Sequence, residues 1–211
     1  MRIAYLLNYS LDKEDGVIRK VKTQIREWNK QNEVQLFCLF SDVKNPPVPA
    51  KQYPCDNFLE KKIRLNKEFI DDLEKFSPDV IYMRYTYWNI TLGYIQKKYK
   101  NIIELNTLDN EEFLLNFTKQ KSVKNLIKLI LNYCFRGIVL TRASGFVGVT
   151  NEIITDKSIM KFKKKNIVIQ NPFDLSTCSF RKEIVKSQRL ALFFIGSPNQ
   201  DWHGVDIIEL I

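Results

Sequence analysis

The chain has 211 residues, of which 45% are hydrophobic, and it carries a formal net charge of +9. This length accommodates one full hydrophobic core and part of a second domain, and the composition is typical of a globular protein. The longest apolar stretch, residues 126–140, is interrupted by Lys128 and Arg136 and falls short of the roughly 20 residues that span a bilayer. No signal-peptide pattern opens the chain, so we expect a cytoplasmic protein without a membrane-spanning helix.

Short β-type runs alternate with helical patterns through the first 170 residues. The predicted strands are residues 2–8, 33–40, 79–84, 101–106, 145–149 and 166–170. The predicted helices are residues 16–31, 58–76, 90–99, 111–140 and 152–162, and a proline-rich loop precedes the second of them. Strands that are joined by helices predict right-handed crossovers and a parallel sheet, which is an α/β fold.

Two of the predicted helices are amphipathic. One face of the first helix carries Val17, Val21, Ile25 and Trp28, and we expect it to pack against the sheet. In the long helix, lysines at helical spacing lie opposite an apolar stripe: the lysines are Lys121, Lys124 and Lys128, and the stripe is Val123, Ile127, Ile130 and Cys134.

The excess positive charge is concentrated around this long helix. Residues 118–165 hold eleven Lys or Arg and two acidic residues, whereas the rest of the chain has 22 of each. Two interpretations stay open: a core helix with a solvated lysine face, or a face that binds anionic lipid headgroups, with residues 161–165 as a second contact. We expect no nucleic-acid partner, because aromatic residues are not interleaved with these lysines.

Polar residues collect where the predicted strands end. They are Asn8 and the loop to Gly16, Arg84 with Tyr85 and Tyr87, residues 106–109, Thr150 with Asn151, and Asn171. Ligands of open parallel sheets bind beyond the carboxyl ends of the strands, so this edge is the predicted binding site.

Residues 190–211 predict the beginning of a second α/β unit. An apolar run meets Gly196, passes through a polar turn and continues as a helical pattern from Gly204. We therefore divide the chain into a first domain (1–172), a linker (173–189) and the incomplete start of a second domain (190–211). A strand buried on both faces needs neighbours that these residues do not supply, so we expect an unfinished domain.

Several familiar catalytic signatures are missing from the sequence. It contains no G-x-G-x-x-G, no phosphate-binding G-x-x-x-x-G-K-[ST], no G-x-S-x-G and no H-E-x-x-H. Four scattered cysteines and a single histidine, His203, make neither a zinc site nor a disulfide framework. We expect mostly buried, reduced thiols and no metal or cofactor, and we assign no catalytic residue.

The order of the segments nevertheless resembles a known family. The segments are RIAYLLN, the helix beginning at DGVIRKV, PDVIYMRY, IIELNTLDNEE, GFVGVTNEI, NIVIQNPFD and LALFFIGSPNQDWHGVD. Together they resemble glycosyltransferase family 4 (group 1) enzymes of the GT-B fold. The resemblance implies a Rossmann-like acceptor-side domain, a second Rossmann-like domain for the nucleotide-sugar donor, and a cleft between them.

The resemblance also implies roles for individual residues. The acceptor cleft would contain Gly16, Arg84, Asn106, Asp109 and Asn151, and the donor loop would contain Gly196, Ser197, His203 and Gly204. Gly16 at a helix N-terminus is suited to an anion, although a turn glycine explains it equally well. Arg84 has a second explanation too, as a surface partner of a nearby acid.

Three functional hypotheses follow. In the first, this is the N-terminal portion of a glycosyltransferase that moves a sugar from a nucleotide-sugar to a polysaccharide or lipid-linked acceptor near the inner membrane face. The family's donor-binding glutamate pair is absent from these 211 residues, so we expect the chain alone to be inactive. In the second, it is a non-catalytic acceptor or membrane-docking subunit completed by a separate donor-binding polypeptide. In the third, it is an unrelated α/β protein that binds a small nucleotide.

Overall fold

The computed structural model describes residues 1–12, 14–55 and 63–172. Its strands are β1 (Arg2–Leu7), β2 (Glu33–Leu39), β3 (Lys51–Tyr53), β4 (Val80–Arg84), β5 (Asn101–Leu105), β6 (Gly145–Gly148) and β7 (Lys165–Val168). Its helices are α1 (Gly16–Trp28), α2 (Lys67–Phe76), α3 (Ile90–Lys98), α4 (Asp109–Lys119), α5 (Val123–Thr141), α6 (Asn151–Thr155) and α7 (Lys157–Met160).

The strands within these ranges form one seven-stranded sheet in the order β3-β2-β1-β4-β5-β6-β7. Every neighbouring pair is parallel, which confirms the predicted α/β class with a Rossmann-like sheet. The chain builds outward from β1 to β3 and then crosses to β4 on the other side of β1. The strand order therefore reverses between β1 and β4, and such a reversal is where open sheets bind ligands.

Helices cover both faces of the sheet. On one face, Ile18 and Val21 of α1 pack in a core that includes Tyr5, Leu36 and Tyr82 from the central strands. On the other face, α2, α3 and α5 contribute Phe69, Leu73, Leu92, Ile95, Val139 and Leu140 to a larger core with Leu6, Phe37, Ile81 and Ile103. Burial on both faces explains why the central strands read as nearly continuous apolar runs.

The predicted helix over residues 111–140 is two helices, α4 and α5. The chain breaks between them because Ser122 takes up an extended conformation and its hydroxyl accepts a hydrogen bond from the Asn125 amide, at 3.2 Å. This side chain caps the N-terminus of α5. The predicted helix over residues 152–162 divides in the same way, since Asp156 caps α7 by accepting from the Ser158 amide at 2.8 Å.

Two further differences fall in the proline-rich region and the helix after it. The edge strand β3 was not predicted, because it lies between Pro49 and Pro54 and only three residues pair with β2. Helix α2 begins at Lys67, where Asn66 caps it by accepting from the Phe69 amide at 2.9 Å, rather than at residue 58. Residues 56–62 lie outside the described ranges.

Helix α5 turns a different face to the core from the one predicted. Its buried residues are Leu129, Asn132, Arg136, Val139 and Leu140, whereas Val123, Ile127, Ile130 and Cys134 are exposed. The helix does reach the core, through Val139 and Leu140, and Lys121 and Lys124 are exposed, but the apolar stripe read from the sequence does not face the core. The expectation of mostly buried thiols also fails, because among the three described cysteines only Cys38 is buried.

The predicted linker (173–189) and second unit (190–211), with Gly196, Ser197, His203 and Gly204, lie outside the described residues. Within the described ranges, no helix has the length and hydropathy to cross a membrane.

Candidate functional site

The point where the strand order reverses carries polar side chains from both strands. Asn8 follows β1 directly, and Arg84 is the last residue of β4. The Asn8 side-chain amide donates to the Thr86 hydroxyl at 2.6 Å, which joins the segments that leave the two strands. This edge is therefore fixed in shape and lies where a parallel sheet offers its ligand site.

A buried lysine crosses from α1 to this edge. Lys20 is 7% exposed, and its ammonium lies 3.0 Å from Glu104 Oε1. It also donates to Asn106 Oδ1 at 3.1 Å and to Asn171 Oδ1 at 2.7 Å. All three of its N–H donors thus have a partner, as a buried ammonium requires.

Glu104 is the centre of the same network. Its Oε2 accepts from the Tyr82 hydroxyl at 2.6 Å and from the Gln24 side-chain amide at 3.2 Å, and its Oε1 accepts from Asn106 at 2.8 Å. Gln24 in turn accepts from the Tyr5 hydroxyl at 2.9 Å. The network connects α1 with β1, β4 and β5, and it satisfies a carboxylate that is 1% exposed.

Burial and ion pairing have opposite effects on the pKa values of Glu104 and Lys20. Burial alone would raise the pKa of Glu104, but the Lys20 ammonium and the hydrogen bonds from Tyr82 and Asn106 outweigh it and lower that pKa. Burial lowers the pKa of Lys20, and Glu104 opposes that shift. Because Lys20 has three close acceptors and an ordinary pKa of about 10.4, we treat both groups as charged at neutral pH.

Arg84 lies beside this pair and is more accessible. Its Nη1 is 3.8 Å from Glu104 Oε1, and its side chain is 22% exposed. Within the described part of the chain, its guanidinium makes no hydrogen bond. Since Lys20 already neutralises Glu104, the Arg84 guanidinium keeps open donor positions at this edge, where its charge also helps to lower the pKa of Asp15.

The beginning of α1 lies at the same edge. Asp15 caps this helix by accepting from the amides of Val17 at 2.9 Å and Ile18 at 3.1 Å, and it also accepts from the Tyr9 hydroxyl. A Cβ added to Gly16 would meet no other atom within 4 Å. The space above Gly16 is thus open, but Asp15 occupies two of the amides that an anion at this helix end would use.

These contacts shift the pKa of both side chains. Burial and the hydrogen bond to Asp15 raise the pKa of Tyr9 to about 12. For Asp15, burial acts to raise the pKa, but the bonds from Tyr9 and the two amides lower it overall. The helix therefore begins at a carboxylate that is ionised at neutral pH.

The structure places Asp109 and Asn151 apart from this cluster. Asp109 is 3% exposed, and Arg136 donates to both of its carboxylate oxygens, at 2.7 and 3.0 Å. Asn132 donates to Asp109 at 3.0 Å and accepts from the Tyr85 hydroxyl at 2.6 Å. Asp109 thus joins α4 to α5 in a closed network, while Asn151 is an exposed first residue of α6, after β6.

The sequence analysis missed Lys20, Gln24 and Glu104. Lys20 follows Val17 by three positions, so it shares the apolar face of α1, and Gln24 lies one turn further along. Glu104 interrupts an otherwise apolar strand. Polar side chains thus interrupt an apolar helix face in α1 and an apolar strand in β5. Such interruptions in two elements are the signal that would have identified a buried polar pair.

Among the described residues, no cluster of three or more His, Cys, Asp or Glu side chains is suited to hold a metal ion. In comparisons with known proteins, no family model matches the chain and no curated protein is significantly similar to it.

Proposed function

We propose that this chain contains the acceptor-side domain of a glycosyltransferase that uses a nucleotide-sugar donor. The acceptor would be a polysaccharide or a lipid-linked glycan, and it would lie at the sheet edge between β1 and β4. The parallel sheet with its reversal of strand order supports the proposal, together with the ordered segments that resemble glycosyltransferase family 4.

Arg84 is the observation that carries this proposal. It presents a partly exposed guanidinium at the reversal of strand order, next to a carboxylate that Lys20 already neutralises. A planar guanidinium binds phosphate and carboxylate groups through two parallel hydrogen bonds. Arg84 would therefore hold an anionic group of the acceptor, such as the phosphate of a lipid-linked sugar.

Sugar transfer breaks the bond between the anomeric carbon and the donor's diphosphate and forms a bond to an acceptor oxygen, and the departing diphosphate can take up the proton that an acceptor hydroxyl loses. The domain described here would contribute position rather than proton transfer. Among the described residues, the buried acids are Glu104 and Asp109, and both are held in ion pairs. Orienting an acceptor oxygen towards a donor can by itself account for a large part of a rate enhancement.

Because Glu104 and Asp109 are both held in ion pairs, a second candidate function is also favoured. In it, the chain is a non-catalytic subunit that docks the acceptor, and a separate polypeptide supplies the donor-binding half. Both candidates predict anion binding at Arg84 and no sugar transfer by this chain alone. They differ in whether the donor-binding half belongs to the same polypeptide or to a separate one.

We also propose a cytoplasmic protein that lies against the inner face of the membrane. We proposed from the sequence that three lysines face the membrane surface. Of these, Lys121 and Lys124 are exposed and Lys128 is partly buried. A lipid-linked acceptor would be reached most directly from that position.

The test measures binding and transfer separately. The full chain is titrated with a soluble sugar phosphate and a short-chain polyprenyl phosphate, and radiolabelled nucleotide-sugars are then added with the lipid phosphate as acceptor. Arg84→Gln is expected to weaken phosphate binding about 10- to 100-fold, the loss typical of a charge-assisted hydrogen bond.

Arg19→Gln, which alters an exposed arginine on α1, is the matched control and should bind like the unaltered chain. Binding without transfer agrees with both candidates, and label transfer by the chain alone would contradict the expectation that it is inactive. A donor-binding half in the same reading frame favours the enzyme, and one encoded by a separate gene favours the docking subunit. If Arg84→Gln binds both phosphates as tightly as the unaltered chain, neither candidate stands.

A further inference from the structure

Helix α5 exposes a continuous apolar surface along its length. We define the α5 apolar stripe as Val123, Leu126, Ile127, Ile130, Tyr133 and Ile138, all of which are exposed. Val123 is 74% exposed, Ile130 is 50% exposed and Tyr133 is 58% exposed. The spacing keeps these side chains on one side of the helix over about 22 Å, at about 1.5 Å per residue.

The charged side chains of α5 and of the residues just before it are all positive. Lys121 precedes the helix, and Lys124 and Lys128 lie on it, while α5 itself contains no acidic residue. Burial and the nearby Lys124 ammonium lower the pKa of Lys128, so the two lysines are close enough to repel each other. An anionic partner would relieve that repulsion, whereas a neutral apolar partner would not.

Charge decides between the two simplest occupants of this surface. A second copy of the chain would bring the same lysines together across the contact, at a cost in free energy. An anionic bilayer offers hydrocarbon for the stripe and phosphate for the lysines at the depth where an interfacial helix lies. The combination of exposed isoleucines, a tyrosine and flanking lysines is typical of a helix in that position.

We propose that α5 docks this domain on an anionic membrane by inserting its apolar stripe into the interface, with Lys121, Lys124 and Lys128 on lipid phosphates. This deepens the membrane location proposed above and rests on it. It differs from attraction by lysines alone, because the apolar side chains enter the lipid and hold the protein at high salt, when surface charges are screened.

Cosedimentation of the full chain with phosphatidylcholine vesicles, with and without phosphatidylglycerol, tests the proposal. Binding should require phosphatidylglycerol and should weaken with salt without vanishing. Replacing Lys121, Lys124 and Lys128 by glutamine is expected to reduce the partition coefficient about 100-fold, from about 1 kcal/mol for each lysine at an anionic surface. Ile127→Ser and Ile130→Ser should each reduce it about tenfold, as expected for a half-exposed apolar side chain.

Each variant has a matched control elsewhere on the domain. Ile90→Ser changes an isoleucine on α3 that is 37% exposed, close to the 42% of Ile127. Glutamine at Lys75, Lys97 and Lys100 removes the same charge from three exposed lysines that are not on α5. Both controls should retain most of the binding, since lysines outside the contact add only long-range attraction.

Cys134 offers a second measurement, because it is exposed on α5 between Ile130 and Ile138. In a Cys55→Ser, Cys178→Ser background, an environment-sensitive thiol dye on Cys134 should shift to shorter emission wavelength with phosphatidylglycerol vesicles. The same dye at Lys97→Cys, with Cys134→Ser added, should not shift.

Binding that Ile127→Ser and Ile130→Ser leave unchanged, or an unshifted Cys134 dye, overturns the insertion. A concentration-dependent dimer that the same serine substitutions abolish, without vesicle binding, assigns the stripe to a second copy instead. Phosphate binding at Arg84 in solution does not depend on vesicles, so this proposal and the acceptor site fail separately.

Discussion

Helices α1 and α5 carry the same kind of sequence pattern, yet the fold uses them differently. On α1 the predicted face is largely the buried one, with Val21 buried and Ile25 and Trp28 packed against the core. On α5 the predicted stripe is exposed, and the buried face includes Asn132 and Arg136. Apolar periodicity identifies a face that prefers to leave water, but it does not say what covers that face.

The position of each helix relative to the sheet explains why the apolar face is buried on α1 and exposed on α5. Helix α1 connects β1 to the adjacent β2, so its apolar face lies over the middle of the sheet. Helix α5 arrives after α4, and mainly its C-terminal half reaches the core, through Val139 and Leu140. Its N-terminal half extends beyond that contact and keeps its isoleucines exposed.

The largest expected effect concerns the buried charge on α1. Lys20→Met leaves Glu104 buried without its ammonium partner, and we expect it to lower the free energy of unfolding by about 3–5 kcal/mol. Urea unfolding followed by circular dichroism measures it. Lys20→Met combined with Glu104→Gln should recover part of the loss, and equal losses in the single and double variants would contradict the pairing.

Substitutions on the two helix faces should differ several-fold in their effect on stability. Ile18→Ala on α1 removes a fully buried side chain and should cost about 2–5 kcal/mol, whereas Ile130→Ala on α5 should change stability by less than about 0.5 kcal/mol. Both values come from the same urea titrations. A loss at Ile130 as large as that at Ile18 would mean that the α5 apolar stripe is covered within the chain.

The helix caps should have smaller effects. Asp15→Ala removes the acceptor for two amides of α1, and Ser122→Ala removes the acceptor for one amide of α5. Each is expected to cost about 0.5–2 kcal/mol, with the larger loss at Asp15, which also accepts from Tyr9. Thermal unfolding of both variants measures the difference, and a larger loss at Ser122 would reverse the order.

The smallest expected effect is on the pH dependence of stability, which should differ between the Asp15 cap and the Ser122 cap. The folded structure lowers the pKa of Asp15, so its carboxylate stabilises the fold fully above the ordinary aspartate pKa of about 3.9. That stabilisation is lost as the pH falls through the lower folded value. Asp15→Asn keeps a capping oxygen but not the charge, so it should flatten this acid limb of the stability curve.

Ser122→Asn is the control for that experiment, because serine does not titrate and the pH dependence should stay as in the unaltered chain. An acid limb that Asp15→Asn leaves as steep as before would exclude Asp15 as a contributor.

Much of the fold could be predicted from the sequence. Six of the described strands and the parallel sheet follow from the alternation of apolar runs and helical patterns. The predictions that failed depend on small local effects. Three residues of β3 between prolines carry too little pattern, and the breaks at Ser122 and Asp156 come from single side-chain hydrogen bonds.

In the candidate site, too, some residues could be predicted from the sequence and others could not. Arg84 and Asn106 were predicted from their place at strand ends, because a strand end is a local property of the sequence. Lys20 and Asn171 are 151 residues apart, and they meet only because α1 and the segment after β7 reach the same edge. Asp109 was expected in the open cleft, and Arg136 from α5 encloses it instead.

The sequence by itself determined most of the strands and helices, since those depend on the period of the apolar residues. It also determined where positive charge is concentrated. Only the tertiary structure decided which helix faces are covered and which buried charges are paired, because both depend on contacts between residues that are far apart in the chain. The exposed stripe on α5 and the Lys20–Glu104 pair are two results of that second kind.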